Sequence, residues 1–274
     1  MNCIRRIRQA SITNQTLLCV GLDPDPSRLP RHLAGTANPL FEFGRAIADA
    51  TADLVCAFKP QIAFYAAARA EDQLEMTIAH IRQQHPEIPV ILDAKRGDIG
   101  NTAEMYAREA FERYRADAVT VNPYMGFDTL APFLAYADRG VIVLCRTSNP
   151  GAGDFQDLAS DGKPLYQVVA EKAARDWNGN GNVMLVVGAT YPEELGRIRA
   201  IVGDMPILVP GVGAQGGDVA AVVANGATAD VAGLIISASR AVLYAGSDKD
   251  FATGARAAAQ KLRDEINRCR RTAP

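Results

Sequence analysis

Short apolar segments alternate with longer amphipathic segments along the whole chain. Eight of the short segments are rich in Val, Ile, Leu and Ala and are flanked by turn-forming residues, which is typical of buried strands. None of the eight alternates cleanly between polar and apolar positions, so both faces of each strand are expected to be buried, as in a parallel sheet. These segments cover residues 16–22, 55–59, 88–95, 118–122, 141–145, 183–187, 206–210 and 233–237.

The segments between these strands carry helical patterns. The patterns predict helices over residues 1–13, 38–54, 62–85, 101–115, 127–138, 164–177, 192–202, 217–225, from 240 onward and near 250–270. Eight strand–helix units in roughly 250 residues predict an α/β fold, a (β/α)8 TIM barrel. We therefore expect a single domain over residues 1–274, with a short N-terminal helix and a C-terminal helix. A doubly wound open sheet is the alternative, and it is less favoured because no segment stands out as a linker or second domain.

The third strand segment ends in a concentration of charged residues. Asp93, Lys95, Arg96 and Asp98 occur where the buried strand gives way to a predicted helix. Because successive side chains of a strand point to opposite faces, Asp93 and Lys95 are expected on the same side. Burying charges is costly unless they are paired, so a structural ion-pair network is one interpretation. Four charged groups at one strand end favour a functional site over that interpretation.

A helix is expected to begin just after this charged stretch. Asn101 follows a glycine, and Glu104 comes three residues later, which is the spacing of a capping box. This prediction puts the Asp98 carboxylate beyond the end of the strand and close to the start of the helix.

The active site of a (β/α)8 barrel lies at the carboxyl ends of its strands. Lysine is the candidate proton donor there, because the chain shows no Ser or Cys paired with a His and no His placed to act as a base. The residues expected at this face are Asp23, Lys59, Asp93, Lys95, Asn122, Ser148, Thr190, the Gly-rich loop after strand seven and the stretch 237–240, which ends in Arg240.

The loop after strand seven reads Gly-Val-Gly-Ala-Gln-Gly over residues 211–216, which matches G-x-G-x-x-G. A dinucleotide site is disfavoured, because the motif follows strand seven and Asp230 precedes strand eight, where no ribose-binding acid belongs. The loops after strands seven and eight are where barrels bind phosphate. Gly213, Gln215 and Arg240 are therefore predicted to form a phosphate site, and a simple tight turn is the alternative.

Composition narrows the possible partners. The chain has 274 residues, a net charge of −2 and no apolar run long enough for a membrane span, so neither a nucleic-acid partner nor a membrane is expected. Five cysteines without a CxxC motif are typical of small buried side chains in a reducing cytoplasm. The histidines His32, His80 and His85 show no metal-ligand spacing, so no metal site is predicted, and a solvated helix face is expected for the last two.

The charged stretch and four other motifs resemble one enzyme family. Residues 93–102 read Asp-Ala-Lys-Arg-Gly-Asp-Ile-Gly-Asn-Thr, which resembles the Asp-x-Lys-x-x-Asp-Ile signature of the orotidine 5′-phosphate decarboxylase family. Gly-Leu-Asp at 21–23, Phe-Lys-Pro at 58–60, Thr-Ser-Asn-Pro-Gly at 147–151 and Pro-Gly-Val-Gly-Ala-Gln-Gly-Gly at 210–217 follow in the order of that family. The residues Asp-Ala-Lys-Arg-Gly-Asp of this signature and the long loop after strand five resemble those of the bacterial type 2 subgroup. Ser239 departs from the glycine that many members carry before the arginine.

This resemblance implies decarboxylation of orotidine 5′-phosphate to UMP without a cofactor, as part of pyrimidine biosynthesis. Lys95 would stabilise the ring carbanion and then protonate it, while Asp93 would face the substrate carboxylate. Asp23 and Lys59 would hold the ribose hydroxyls, and Ser148 would bond the pyrimidine amide.

The resemblance also implies a phosphate grip and a homodimer. Gln215 and Arg240 would bind the phosphate, with the strand-seven loop and Gly213 closing as a lid. Asp98, Ile99 and Thr102 would enter the active site of the partner subunit, so that each site is built from two chains.

Two other functions stay open on the same fold. Magnesium-dependent sugar-phosphate enzymes, such as 3-keto-L-gulonate 6-phosphate decarboxylase or hexulose phosphate synthase, share the Asp-x-Lys-x-x-Asp pattern. They carry a Glu at the end of strand two, where Lys59 would repel a cation here. A non-catalytic nucleotide-binding barrel is the other alternative, and the tetrad of Lys59, Asp93, Lys95 and Asp98 argues against it, because binding alone does not require it.

Overall fold

A closed barrel of eight parallel strands forms the centre of the computed structural model, which describes residues 2–212 and 217–272. The strands pair in the order β2-β1-β8-β7-β6-β5-β4-β3, and parallel bridges from Phe58 to Val90 and from Gln61 to Asp93 join β2 to β3. The predicted (β/α)8 TIM barrel is therefore confirmed in place of the open sheet. The strands are β1 Leu18–Leu22, β2 Ala57–Pro60, β3 Ile91–Arg96, β4 Ala118–Val121, β5 Gly140–Arg146, β6 Val183–Val187, β7 Ile207–Pro210 and β8 Leu234–Ala238.

Helices surround this barrel. They are α1 Cys3–Thr13, α2 Pro39–Thr51, α3 Ile62–Ala67, α4 Glu71–Gln84, α5 Gly100–Arg108, α6 Phe127–Leu134, α7 Gly153–Gln156, α8 Leu165–Arg175, α9 Pro192–Val202, α10 Val219–Gly226, α11 Arg240–Leu243 and α12 Phe251–Thr272. Over the described residues, no helix combines the length and the apolar character that a membrane crossing requires.

Two layers of buried side chains hold the barrel together. The larger layer packs the outer faces of the strands against the helices, with Phe43, Phe58 and Phe133 among its members. The smaller layer fills the barrel interior with one or two side chains from each strand, and Cys3 and Ile7 of α1 close it at one end. Four of the five cysteines are buried free thiols, Cys3, Cys19 and Cys56 in the smaller layer and Cys145 in the larger one, whereas Cys269 is only partly buried.

The prediction of one continuous helix over residues 62–85 is wrong, because the structure has two helices there, α3 and α4. Helix α3 ends where the N–H groups of Ala68 and Ala70 both donate to the Tyr65 carbonyl. Arg69 lies between them with a φ of +53°, in the left-handed region that a helix cannot continue through. A new helix, α4, then begins at Glu71.

The predicted capping box at Asn101 is also wrong. Helix α5 begins at Gly100 with Ile99 as its N-cap, and no side chain caps it. The Asp98 carboxylate instead accepts a hydrogen bond from the Ile99 N–H at 2.8 Å. At its other end, α5 passes into a π-helical turn over Glu109–Arg113, so the predicted helix over 101–115 has two geometries.

Candidate active site

A cavity of about 810 Å³ opens at the carboxyl ends of the strands. Six of the residues predicted from the sequence line it, namely Asp23, Lys59, Asp93, Lys95, Ser148 and Arg240. A second cavity of about 850 Å³ lies between α1, α12 and the amino ends of β7 and β8, and it contains none of the predicted site residues. The cavity at the carboxyl ends is therefore the candidate active site.

Three charged side chains form a row on the floor of this cavity. The Lys59 Nζ lies 2.9 Å from the Asp93 Oδ2, and the Lys95 Nζ lies 2.6 Å from the Asp93 Oδ1. The side chains of Lys59 and Asp93 are only 5% and 10% exposed, whereas that of Lys95 is 46% exposed. Asp93 is thus held between two cations, and Lys95 is the member of the row that reaches the open space.

The electrostatics of the row favour the charged forms of Lys59 and Asp93. Burial by itself raises the pKa of the Asp93 carboxyl, but the ammonium groups of Lys59 and Lys95 outweigh it and hold that pKa well below its usual range. Burial lowers the pKa of Lys59, but the carboxylates of Asp23 and Asp93 outweigh it and raise that pKa above its usual range. The site therefore presents fixed charges before any ligand binds.

The backbone at Lys95 departs from regular strand geometry. Lys95 has a φ of +47°, and the register between β3 and β4 shifts between Leu92 and Arg96. Asp93 and Lys95 do lie on the same side, as alternation predicted, but the strand reaches this arrangement through a bulge. Non-glycine residues in the left-handed region cost of order 1–3 kcal/mol and occur where the surrounding structure enforces them.

Thr120 on the neighbouring strand β4 enforces this bulge, and the sequence interpretation missed it. Its Oγ1 accepts hydrogen bonds from the Ala94 and Lys95 N–H groups at 3.0 and 2.9 Å and donates to the Asp93 Oδ1 at 2.9 Å. One buried hydroxyl thus holds both the strand and the carboxylate. The signal that could have found it is a hydroxyl residue inside an otherwise apolar strand.

Asp23 extends the charged row towards β8. Asp23 lines the cavity, and its buried Oδ1 has no hydrogen-bond partner among the described residues. Gly21, two residues earlier, lets β1 approach the residue after β8, because a Cβ at Gly21 would lie 2.0 Å from the Ser239 Oγ. This close approach brings the wall that carries Asp23 next to the wall that carries Arg240.

The loop after β5 forms another wall of the cavity and carries Ser148. Its neighbour Thr147 is fixed by Gln156, whose Oε1 accepts from the Thr147 N–H at 2.9 Å and whose Nε2 donates to the Thr147 Oγ1 at 2.8 Å. Gly188 lets the end of β6 approach this loop, because a Cβ there would lie 2.8 Å from the Ser148 Cβ. The part of the loop next to the cavity is therefore held on both sides.

Arg146 anchors the base of the same loop. Its guanidinium is 4% exposed, lies 3.2 Å from the Asp157 carboxylate and stacks over the Tyr191 ring at 4.1 Å. A buried cation of this kind requires such partners. Arg146 thus ties the loop after β5 to the loop after β6.

The predicted phosphate site is only partly described. Arg240 begins α11, is exposed and lines the cavity next to Pro210 and Gly211 at the end of β7. Gly213 and Gln215 lie outside the described residues. Arg240 is therefore placed as the sequence predicted, at the edge of the cavity where β7 and β8 end.

Asp98, Ile99 and Thr102 are not brought into the cavity of their own chain. None of them lines it, and Ile99 and Thr102 are exposed. No hydrogen bond or ion pair joins Asp98 to Lys95 within the described parts of the chain. Of the four charged residues expected to act together, a single chain therefore joins three, Lys59, Asp93 and Lys95, and the fourth, Asp98, lies outside the cavity.

His80 and His85 were expected on a solvated helix face, and the structure gives them a shared partner. His80 and His85 both contact the Asp49 carboxylate, at 2.7 and 2.9 Å, and their side chains are only 17% and 19% exposed. The predicted solvated face is therefore only partly correct, because both rings are half-buried and bonded to the exposed Asp49. Sequence spacing also predicted no metal-ligand grouping, yet the three side chains could hold a metal ion.

Residues 16–254 match the model of the orotidine 5′-phosphate decarboxylase / HUMPS family. The chain belongs to this family. It is 65% identical over 257 residues to an orotidine 5′-phosphate decarboxylase of Ralstonia pickettii (strain 12J), which covers 94% of this chain and 95% of the relative. A protein of the same name from Dechloromonas aromatica (strain RCB) is 62% identical over 267 residues, with 97% and 99% covered.

The solved structures similar to this chain agree with that assignment. The structure of Leishmania donovani OMP decarboxylase matches with a TM-score of 0.86 and 40% sequence identity, and all of both chains is covered. The decarboxylase family resemblance predicted from the motifs is therefore confirmed, while assignment to the type 2 subgroup stays a prediction.

Proposed function

We propose that this chain decarboxylates orotidine 5′-phosphate to UMP in pyrimidine biosynthesis and that it does so without a cofactor. Membership of the family and the names of relatives more than 60% identical support the reaction. The single structural observation that carries the proposal is the row of Lys59, Asp93 and Lys95 at the floor of the cavity. A cavity of about 810 Å³ is in the usual range for a ligand of nucleotide size.

Lys95 performs the proton chemistry in this proposal. The bond between the ring carbon and the carboxylate breaks, carbon dioxide leaves, and the electron pair stays on the ring carbon. The Lys95 ammonium stabilises that negative charge and then transfers one proton to the carbon, which completes the new C–H bond. Lys95 suits this role because it is the row's most exposed member and is already oriented by its 2.6 Å bond to Asp93.

Asp93 and Lys59 provide the fixed electrostatic frame. The bound substrate places its carboxylate beside Asp93, and that charge is lost as carbon dioxide departs. The negative charge that replaces it on the ring carbon lies next to Lys95, so the arrangement favours the transition state over the bound substrate. The charges are oriented before the reaction begins, which avoids reorganising them during it.

The remaining cavity residues bind the parts of the nucleotide that do not react. Asp23, with its unpartnered Oδ1, and Lys59 hold the ribose hydroxyls. Ser148 in the loop after β5 bonds the pyrimidine amide. Arg240 binds the phosphate together with Gln215, and Gly213 allows the loop after β7 to close over it. Phosphate binding far from the ring can supply energy for that closure.

The active enzyme is a homodimer in which each site uses two chains. Asp98, Ile99 and Thr102 lie outside the cavity of their own chain and reach the site of the partner. Exposed apolar side chains on the same face support a contact surface, since Ile99 is 60% and Tyr124 is 77% exposed. The compartment that we propose is the cytoplasm, because the buried cysteines Cys3, Cys19, Cys56 and Cys145 are free thiols.

The magnesium-dependent relatives are disfavoured by the charge of the site. The Lys59 ammonium lies 2.9 Å from Asp93, in the position where those enzymes have a Glu. A divalent cation would have to bind next to this buried positive charge, which costs Coulomb energy in a site that screens charges poorly.

The loss of ultraviolet absorbance of orotidine 5′-phosphate, measured with purified and EDTA-treated protein, tests this function. We expect full turnover after chelation. We expect Lys95→Ala to abolish nearly all turnover while UMP still binds, because the proton donor is removed and the cavity is kept. Lys172→Ala, which removes a half-exposed lysine of α8, is the matched control and should behave as wild type.

Two outcomes would contradict the proposal. Activity that disappears with EDTA and returns with magnesium would favour the metal-dependent relatives. A Lys95→Ala variant that stays within about tenfold of wild type, or about 1.4 kcal/mol of barrier, would show that Lys95 is not the acid.

A further inference from the structure

An Asp–His–His cluster lies on the outer helical layer and has no part in the decarboxylation. Asp49 is on α2, His80 is near the end of α4, and His85 is the residue that follows α4. The Nε2 atoms of both histidines contact the same carboxylate oxygen, Asp49 Oδ1, at 2.7 and 2.9 Å. The three ligand atoms all lie within 4.8 Å of one another. We call these three residues the outer cluster.

The end of α4 builds the outer cluster. Residues five apart on a regular helix point about 140° away from each other, so His80 and His85 could not meet on one. His85 instead leaves the helix with a φ of −131° and a ψ of 56°, and its N–H donates to the Ile81 carbonyl. The two imidazole rings then stand at 72° to each other, and the Phe41 ring packs edge-on against His80.

The chemistry of the outer cluster fits a borderline divalent cation. Two imidazole nitrogens and one carboxylate oxygen are ligands that zinc accepts, usually with water in the remaining position. Tetrahedral bonds of about 2.0–2.1 Å place neighbouring ligand atoms about 3.3 Å apart, so the Asp49 oxygen would move only about half an ångström from each nitrogen. Asp49 is 41% exposed and lies on the surface, which leaves room for that movement and for water.

We propose that Asp49, His80 and His85 form a zinc-binding site that ties α2 to α4 on the outside of the barrel. Magnesium is not expected there, because it prefers oxygen ligands alone. The basic side chain of α2, Arg45, is paired with Glu42 at 2.6 Å, and this carboxylate offsets part of its repulsion of a cation.

The site is separate from the catalytic cavity. Helix α2 follows β1 and runs back along the barrel, so its last turn lies near the amino ends of the strands. The end of α4 lies there too, because β3 begins a few residues after His85. The cavity that holds Lys95 opens at the opposite end, and zinc at the outer cluster is therefore expected to change stability and not turnover.

Zinc binding to the protein, stripped with EDTA and then dialysed free of it, tests this proposal. Isothermal titration with zinc should show one site per chain, and zinc should raise the midpoint of thermal unfolding. His80→Ala and His85→Ala should each weaken zinc binding at least tenfold and remove the rise in midpoint. His32→Ala is the matched control, because this histidine lies outside the cluster beside Asp248. Cys269→Ser is a second control, because this thiol is the one cysteine that is not fully buried.

Three results would overturn the proposal. The first is a wild-type protein that binds no zinc at millimolar concentration. The second is a His85→Ala variant that binds zinc as tightly as wild type. The third is loss of binding in Cys269→Ser, which would place the zinc at that thiol. The far-ultraviolet circular dichroism of each variant without zinc shows that it is folded, so a loss of zinc binding reports on the site itself.

Discussion

At the scale of single residues, the Thr120 hydroxyl positions the catalytic row although no substrate contact is assigned to it. A hydroxyl has one hydrogen to donate and two lone pairs, and Thr120 uses all three on Asp93, Ala94 and Lys95. The bulge that turns Lys95 towards the cavity therefore depends on this one side chain. A change that keeps the shape but removes the hydroxyl isolates this role.

We expect Thr120→Val to lower kcat about tenfold or more, with a smaller change in KM. The substitution leaves the Ala94 and Lys95 N–H groups without their acceptor and removes one of the two hydrogen bonds to Asp93 Oδ1. Each unsatisfied group costs about 1–3 kcal/mol when it is buried. Thr120→Ser keeps the hydroxyl and should recover most of kcat. Steady-state kinetics of the two variants provide the comparison. A valine variant with wild-type kcat would show that the hydroxyl does not position the row.

Arg240 is expected to act on the phosphate of the substrate and on no other part of it. Arg240→Ala should weaken binding of UMP about 10-fold to 100-fold, because hydrogen bonds to charged groups contribute about 1.5–3 kcal/mol. Uridine should bind the variant and the wild type equally well. Titration calorimetry with both ligands measures the difference, and the exposed Arg197 on α9, changed to Ala, is the control. Equal losses for UMP and uridine would place Arg240 outside the phosphate site.

At the scale of elements, Asp117 ties helices to the barrel at the end opposite the active site. Its side chain is only 3% exposed and accepts hydrogen bonds from Arg6 of α1, from Arg82 of α4 at 3.3 Å and from the Val90 N–H at 2.9 Å. Arg139, just before β5, approaches the same carboxylate at 3.5 Å. One buried anion therefore organises several cations that belong to separate elements.

We expect Asp117→Asn to lower the free energy of unfolding by about 3 kcal/mol and to leave kcat nearly unchanged. The reason is that it removes the anion while the cations around it stay in place. Urea unfolding at neutral pH, together with an activity measurement, tests both parts. Asp176→Asn on the surface is the control and should unfold like wild type. Unchanged stability in Asp117→Asn would mean that its arginines find other partners.

At the scale of the whole molecule, the shared active site can be tested with two inactive proteins. Lys95→Ala and Asp98→Ala should each abolish activity, and their mixture should regain about a quarter of the wild-type sites. If subunits exchange at random in a two-fold dimer, about half of the dimers are mixed, and each of these has one intact site. The ultraviolet assay measures the recovery, and mass spectrometry of isotope-labelled subunits checks that exchange has occurred. No recovery after confirmed exchange would assign Asp98 to the site of its own chain.

The sequence predicted most accurately those features that depend on residues close together in the chain. Each of the eight strands is marked by its own apolar residues and by the turn residues around it, and their number predicted the barrel. The charged residues at strand ends were found for the same reason, because parallel strands bring their carboxyl ends to one face. Asp23, Lys59, Asp93, Lys95, Ser148 and Arg240 were therefore predicted to lie together, and all six line one cavity.

The features that were missed depend on neighbours far away in the chain. Thr120 contacts Asp93 and Lys95 only because β4 pairs with β3. The sequence of an apolar strand with one hydroxyl residue does not show which groups that hydroxyl will bond. Hydrogen bonds at helix ends determine two further features, the interruption between α3 and α4 at Arg69 and the non-helical backbone of His85 after α4. The hydrophobic periodicity of the sequence does not predict such bonds.

The sequence by itself thus determined which segments form strands, that the sheet is parallel and which charges gather at its carboxyl end. These properties follow from the hydrophobic pattern and from the direction of the chain, and both can be read directly from the order of the residues. Only the tertiary structure decided that β2 closes on β3, that Lys95 takes a left-handed conformation and that Asp98 stays outside its own cavity. Those outcomes depend on the free energy of contacts between distant segments, and such contacts exist only once the chain has folded.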